Sequence, residues 1–226
     1  MLLEVRDLSF VYPQSEGFRL GIEELAFAAH EHTAITGPSG CGKTTLLHLF
    51  AGVLLPNRGS IRHHDVDLPT LSDAARRSFR IRHIGLVFQR FELLEYLSVL
   101  DNVLVPYYVN RDLKLTKDVR EHGVQIARAV GLADKIGRPV TQLSQGERQR
   151  VAVARALITE PELILADEPT GNLDPRNKDR IVDLLLEVAS TSGATLIVVT
   201  HDHSLLPKFS RTIEFETLTA QPEVAT

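Results

Sequence analysis

The sequence predicts an α/β fold in which helices cover both faces of a parallel sheet. Three apolar runs show no polar alternation, at 33–36, 163–166 and 195–200. Strands of this kind are buried on both faces, as in a parallel sheet between two layers of helices. Amphipathic helical patterns lie between these runs, at 119–130 and 177–191, and a glycine follows each of them closely.

The composition is that of a compact globular protein. The chain has 226 residues, 43% hydrophobic and 24% charged, which argues against disorder. Its apolar runs fall far short of the ~18 residues that a membrane span needs, and we expect no secretory signal at the acidic N-terminus. Cys41 is the only cysteine, so an intrachain disulfide is excluded. The net charge of −4 argues against broad nucleic-acid binding.

We expect one domain assembled from three parts. Loose alternation at 2–11 and 18–28 predicts an antiparallel β subdomain at the front of the chain. A mostly helical segment is predicted to be inserted into the sheet-containing core, and the last residues lack periodicity. The core, with the β subdomain, is expected to comprise residues 1–88 and 162–216. The helical subdomain is expected at 89–161, and a flexible tail at 217–226.

The glycine-rich segment Gly37–Thr44 matches the phosphate-loop pattern G-x-x-x-x-G-K-[ST]. It follows a predicted strand and runs into a helix that is predicted over Lys43–Phe50. Glycines let several N–H groups face one anion, and the helix adds its positive end. Lys43 is predicted to reach the β- and γ-phosphates, Thr44 to bind Mg²⁺ and Thr45 to add a phosphate contact. These residues predict a P-loop NTPase with a RecA-like core. The predicted nucleotide-binding residues of the loop are Gly37, Pro38, Ser39, Gly40, Cys41, Gly42, Lys43, Thr44 and Thr45.

Two carboxylates, Asp167 and Glu168, follow the apolar run at 163–166. Asp167 is predicted to hold Mg²⁺, as the usual second half of a P-loop site. Glu168 is predicted to orient and deprotonate an attacking water. A solvated acidic turn is the alternative for this pair taken alone, and the phosphate loop favours the functional interpretation.

Gln89 and His201 also follow strands directly, after the runs at 84–88 and 195–200. The carboxyl ends of neighbouring parallel strands meet at one edge of a sheet, where ligands bind in such folds. We therefore expect these polar groups to converge there. Gln89 is predicted to bridge metal and water, and His201 to donate a hydrogen bond to the γ-phosphate. A histidine after a strand is more often an ordinary loop residue. The prediction for His201 therefore depends on its expected position at the same edge of the sheet as the other polar groups.

The segment Leu143-Ser-Gln-Gly-Glu147 opens a helix that is predicted to run to about Thr159. Ser144 as N-cap and Glu147 three residues later form a capping box, which is the structural interpretation of this motif. A capped helix start remains a site for anions, and Gly146 leaves the backbone open to close approach.

These motifs, in this order, resemble the ATP-binding cassette (ABC) transporter ATPases over nearly the whole chain. The family signature is usually Leu-Ser-Gly-Gly-Gln, so Gln145 and Glu147 depart from it while Ser144 and Gly146 are kept. The resemblance implies binding of ATP and Mg²⁺, ATP hydrolysis, and a homodimer in which two copies pair head to tail.

In such a dimer, Ser144 and Gly146 are implied to contact the nucleotide held by the other copy, and the segment around Asp174 to line the shared interface. Tyr12 lies where the family places an aromatic ring that stacks on adenine. Packing within the β subdomain is the alternative for Tyr12.

The stretches at 88–103 and 166–174 are similar to the family branch that serves lipoprotein release, macrolide export and cell division. This resemblance implies export or extraction by a separate integral membrane permease subunit that docks near Arg90–Val105. It also implies a cytoplasmic location on the inner face of the cell membrane. An ATP-driven regulatory module is the open alternative, and a soluble ATPase acting on nucleic acid or ribosomes is disfavoured by the acidic charge.

Closely spaced histidines occur three times in the chain. A structural zinc site needs four ligands at suitable spacing, and no third and fourth ligand is apparent from the sequence. We therefore expect no metal at these pairs, which are His30/His32, His63/His64 and His201/His203.

Overall fold

The computed structural model describes residues 1–13, 18–171 and 175–218, and it confirms the predicted α/β fold. The strands are β1 (Leu3–Val11), β2 (Arg19–Phe27), β3 (Thr33–Thr36), β4 (Arg58–His63), β5 (Val66–Asp67), β6 (Ile84–Val87), β7 (Leu163–Asp167), β8 (Thr195–Thr200) and β9 (Arg211–Glu214). The α-helices are α1 (Lys43–Phe50), α2 (Asp73–His83), α3 (Val99–Val103), α4 (Val105–Val109), α5 (Lys117–Ala129), α6 (Gln145–Leu157), α7 (Pro175–Ser192) and α8 (Phe215–Leu218). Within the described residues, none of the helices combines the length and apolar character needed to cross a lipid bilayer.

The larger sheet has five strands in the order β6-β7-β8-β3-β9, and every neighbouring pair is parallel. All residues of β3 and β8 are buried, which explains why neither strand alternates polar and apolar residues. The carboxyl ends of β6, β7, β8 and β3 therefore lie side by side at one edge, as the sequence predicted.

The smaller sheet is antiparallel, with strand order β2-β1-β4-β5. Strands β1 and β2 confirm the predicted front subdomain. Strands β4 and β5 were not predicted because they are short and largely polar, and β4 buries only Ile61 and His63. Of the predicted tail, residues 217 and 218 end α8, and 219–226 lie outside the described residues.

Helices α3 to α6 form the predicted helical segment. Ser98, Thr116 and Ser144 cap the starts of α3, α5 and α6 with their hydroxyl oxygens. Helix α6 runs close beneath β6, where a Cβ on Gly85 would lie 2.4 Å from the carbonyl oxygen of Ala156. The helical segment therefore packs directly on the edge of the parallel sheet that leads to Gln89.

The loop after β6 is bound to α6 by one side chain. The Arg155 guanidinium donates to the carbonyl oxygen of Phe91 at 2.6 Å and to that of Glu92. Both of these loop residues have left-handed backbone, with φ of 63° and 48°. Burial lowers the pKa of Arg155 to about 10, so the side chain remains a cation at neutral pH. The buried Asn102 holds the next turn by accepting from the Leu94 N–H at 2.8 Å.

Candidate active site

The phosphate-loop segment joins β3 to α1, and two of its glycines have backbone that other residues adopt at a cost. Gly40 has φ of 81°, and Gly42, the N-cap of α1, has φ of 114°. A Cβ on Gly42 would also lie 2.5 Å from the ring of Phe18. The curl of the loop therefore depends on glycine at both positions.

Lys43 lies at the base of this loop and is nearly buried, with 6% of its surface exposed. Its Nζ donates to the carbonyl oxygens of Gly37 at 2.7 Å and Pro38 at 2.9 Å. The same ammonium lies 3.7 Å from Oε1 of Glu168. The loop thus holds a positive charge directly beside the carboxylate that follows β7.

Thr44 and Asp167 join the start of α1 to the end of β7. The Thr44 hydroxyl donates to Oδ1 of Asp167 at 3.1 Å. Burial raises the pKa of Asp167, and the hydrogen bond from Thr44 opposes that rise. A cation beside this carboxylate would offset the cost of burying its charge. Because hydroxyl and carboxylate oxygens are the ligands that Mg²⁺ prefers, this donor set fits Mg²⁺.

Glu168 lies just past β7 and is held from several sides. Its φ of 44° is unusual for a residue other than glycine, and its N–H donates to the carbonyl oxygen of Val199 at 3.0 Å. The carboxylate accepts from Nδ1 of His201 at 2.8 Å and from the His201 backbone N–H at 3.4 Å. Glu168, Lys43 and His201 therefore form one linked group of charged and polar atoms.

Tyr12 lies at the end of the cleft nearest the antiparallel sheet. Its hydroxyl is 3.0 Å from Oγ1 of Thr45, and its ring meets Phe10 edge-on at a centroid distance of 4.8 Å. Tyr12 also lies beside Phe18, at 5.9 Å between ring centroids. The ring of Tyr12 is therefore both packed within the β subdomain and exposed to the cleft.

These side chains surround an open cleft of about 540 Å³ at the carboxyl edge of the parallel sheet. The sequence did not indicate a role for Phe18 in the site, because Phe18 fits the pattern of an ordinary strand residue of the β subdomain. Its position at the start of the second alternating segment, close in sequence to Tyr12 at the end of the first, is the signal that could have indicated it. The residues that line the cleft are Tyr12, Phe18, Ser39, Gly40, Gly42, Lys43, Thr44, Thr45, Gln89, Glu168 and His201.

The signature residues do not belong to this cleft within one chain, since neither Ser144 nor Gly146 lines it. The capping box is confirmed: the Ser144 N–H donates to Oε2 of Glu147 at 2.7 Å, and the Glu147 N–H donates to the Ser144 hydroxyl at 3.4 Å. A Cβ on Gly146 would meet nothing within 4 Å. Asp174 falls outside the described residues.

Glu147 carries a charge that its neighbours neutralise. Its carboxylate forms an ion pair with Lys135 in addition to the hydrogen bond from the Ser144 N–H. These two contacts, Lys135 first, lower the pKa of Glu147 to about 2. The departure from the usual signature at this position is therefore accompanied by a compensating cation.

Comparison with known proteins identifies the family. The ABC transporter family model matches residues 23–171. The lipoprotein-releasing system ATP-binding protein LolD of Psychrobacter arcticus is 41% identical over 182 residues, which are 80% of each protein. The macrolide export ATP-binding/permease protein MacB of Rhodopirellula baltica is 38% identical over 204 residues, covering 90% of this chain and 29% of that protein.

The fold is shared with a solved structure. The dimeric, post-hydrolysis state of the ATP-binding cassette MJ0796, bound to ADP and Pi, superposes with a TM-score of 0.82 at 30% identity. The match covers 94% of this chain and 93% of that one. Family match, relatives and shared fold agree with the motifs and the cleft, and the chain therefore belongs to the ABC transporter family as an ATP-binding, ATP-hydrolysing subunit.

Proposed function

We propose that two copies of this chain bind two Mg²⁺-ATP molecules at a head-to-tail interface, and that hydrolysis drives export or extraction by a separate membrane subunit. The observation that carries the proposal is the division of the site within one chain. Lys43 and Glu168 line the cleft, whereas Ser144 and Gly146 lie outside it. The dimeric form of the MJ0796 cassette supports this pairing.

The residues at the cleft suit hydrolysis of a phosphoanhydride. Lys43 holds the β- and γ-phosphates, and Glu168 accepts a proton from water as the water oxygen attacks the γ-phosphorus. The bond from that phosphorus to its bridging oxygen breaks, and ADP leaves with the electron pair. His201 keeps the Glu168 carboxylate in place through its Nδ1–H.

Magnesium, when bound with ATP, supplies positive charge at the phosphate oxygens. Thr44 and Asp167 would hold it. Gln89 would lie between the metal and the attacking water. Tyr12 and Phe18 offer ring surface to the adenine. The charged and aromatic ends of the cleft therefore match the two ends of the nucleotide.

The second copy supplies the start of its α6 to the γ-phosphate. The Ser144 hydroxyl and the open backbone at Gly146 suit close approach of an anion. Asp174, which lies outside the described residues, is part of the proposed interface. In this arrangement neither chain completes a site alone.

The proposed membrane subunit docks near Arg90–Val105, on the helical subdomain 89–161 of a single ATPase domain. Tyr96 in this segment is 81% exposed. A groove of about 400 Å³ is lined in part by Phe88 and Pro106, which flank the segment in the sequence. The proposed location of the assembly is the cytoplasmic face of a membrane, and the names of the relatives, a lipoprotein-releasing and a macrolide-export protein, support it. Tyr96→Ser should reduce recovery of the membrane subunit from detergent-solubilised membranes, and unchanged recovery would contradict this docking surface.

Glu168→Gln tests the dimer and the base together. The amide keeps the size of the side chain but takes no proton, so turnover should fall by at least about 10²-fold while ATP still binds. With Mg²⁺ and ATP, analytical ultracentrifugation should show a stable dimer that the wild-type chain forms only transiently.

Glu187→Gln is the matched control, because Glu187 is an exposed carboxylate on α7. It should leave both turnover and sedimentation unchanged. Wild-type turnover in Glu168→Gln would refute the base assignment. A strictly monomeric Glu168→Gln chain at saturating ATP would refute the head-to-tail pairing.

A further inference from the structure

A second cluster of polar side chains lies at the opposite edge of the parallel sheet from the cleft. Glu162 comes directly before β7, and His83 directly before β6. His63 ends β4 of the antiparallel sheet, and His64 follows it. The cluster therefore joins the amino ends of two core strands to the front subdomain, and the nucleotide cleft lies at the other ends of the same two strands.

The geometry of this cluster is close to that of a metal site. One potential ligand atom from each of His63, His64 and Glu162 lies within 4.8 Å of the other two. Nε2 of His64 is 2.9 Å from Oε2 of Glu162, and Nδ1 of His83 is 3.5 Å from Oε1 of Glu162. Zinc bonds of ~2.0–2.1 Å in a tetrahedron separate its ligands by roughly 3.4 Å, so modest side-chain rotations suffice.

His63 adds an independent observation. It is 1% exposed, and its Nε2 is buried with no hydrogen-bond partner among the described residues. A buried polar atom without a partner is costly and uncommon.

We propose that His63, His64 and Glu162 bind one divalent transition metal, Zn²⁺ by the chemistry of the ligands, with the fourth position filled by His83 or water. Two imidazoles and a carboxylate are typical zinc ligands and are unlike the all-oxygen sets of Mg²⁺ and Ca²⁺. Side chains of His64 and Glu162 are about half exposed, which leaves an entry path for the ion.

The sequence did not reveal this site because its ligands come from distant segments. His63 and His64 are adjacent in the chain, but the third ligand, Glu162, is 98 positions beyond His64. No ligand-spacing pattern covers such a distance, so the expectation of no metal at this pair is replaced here by the proposal. A bound ion would tie the antiparallel sheet to the parallel core.

The test is titration of the full-length chain, without a polyhistidine tag, with ZnCl₂ in excess Mg²⁺ and no nucleotide. Calorimetry should give one Zn²⁺ per chain. His64→Ala and, separately, Glu162→Gln should each weaken binding by at least about tenfold, because loss of a ligand costs no less than loss of an outer-shell partner. Zinc should raise the Tm of the wild-type chain by about a few degrees and that of the variants by less.

His122→Ala is the matched control, since His122 lies 3.4 Å from Glu160 but has no second histidine in this contact. It should bind zinc as the wild type does. All three variants should keep basal ATPase activity, which shows that they are folded. Absence of one-to-one zinc binding in the wild type, or equal weakening by His122→Ala, would overturn the proposal.

Discussion

Helices α1 and α6 both begin where an anion is proposed to bind, but their first turns are satisfied differently. No described side chain caps α1, whose N-cap is the left-handed Gly42. The start of α6 is closed by its own residues, Ser144 and Glu147, with Lys135 behind them. A helix start without a side-chain cap keeps its N–H groups for a ligand, whereas a capped one is stable without one. The first suits tight binding within one chain, and the second suits reversible contact with another.

The largest expected effect on ATP affinity comes from a substitution that disturbs the start of α1. Gly42→Ala places a methyl group 2.5 Å from the Phe18 ring, on backbone with φ of 114°. Strain of ~1–3 kcal/mol at the loop should lower ATP affinity by about 10- to 100-fold, measured with a fluorescent ATP analogue. Wild-type affinity in this variant would show that the curl of the loop does not depend on glycine.

Gly146→Ala makes the matched change at the start of α6. The added methyl meets nothing within 4 Å in one chain, and alanine favours a helix over glycine by ~0.5–1 kcal/mol. Tm should therefore rise slightly and single-chain ATP affinity should not change. Turnover should fall by about tenfold, because the methyl occupies the proposed approach of the partner's phosphate. If Gly146→Ala loses as much ATP affinity as Gly42→Ala, the start of α6 is not reserved for the nucleotide of another chain, and the proposed difference between the two helix starts is wrong.

An intermediate effect is expected from Lys135→Met, which leaves Glu147 charged and unpaired near the proposed phosphate contact. Stability at pH 7 should fall by about 1 kcal/mol, and ATP-dependent dimerisation should weaken a few-fold. The folded pKa of Glu147 is about 2, against an ordinary 4.5. The ion pair therefore stabilises the fold above pH 4.5, and this contribution is lost as pH falls towards 2.

The double variant Lys135→Met/Glu147→Gln separates charge from packing. It removes the unpaired carboxylate, so dimerisation measured by ultracentrifugation should recover while the lysine contact is still missing. If the double variant dimerises as poorly as Lys135→Met, the effect comes from lost packing and not from the charge of Glu147.

The smallest effect is expected at the far end of the cleft. Tyr12→Phe removes the contact between the Tyr12 hydroxyl and Thr45, 3.0 Å long, but keeps the ring. One such hydrogen bond contributes ~0.5–1.5 kcal/mol, so KM for ATP should rise about two- to tenfold with kcat unchanged. Thr45→Val should have a similar effect, and a fall in kcat for either variant would place this pair in the chemical step.

The sequence was most informative for the apolar strands that lead directly to the cleft. The runs that became β3, β7 and β8 are short, apolar and fully buried, so their type and their common edge could be predicted from composition. Glu168 and His201 directly follow β7 and β8, Gln89 comes soon after β6, and Lys43 begins the helix after β3. The structure brings all four to one cleft. The polar strand β4 gave no comparable signal, because its pairing with β1 and not its composition makes it a strand.

Contacts between distant segments were beyond prediction. The Lys135–Glu147 pair neutralises an unusual signature residue, yet neither residue alone indicates the contact. Glu162 and His64 illustrate the same limit over a longer distance. Spacing patterns describe one helix, strand or loop, whereas these pairs form only when the sheet order and the helix packing bring separate elements together.

Arg155 connects the loop after β6 to the helix α6. Arg155 binds the carbonyl oxygens of Phe91 and Glu92 from the same helix that begins beside Ser144. A helix of 13 residues is stiff over its length of about 20 Å. We therefore expect a force that tilts the segment after Gln89 to tilt this helix as well, and to move the end that carries Ser144.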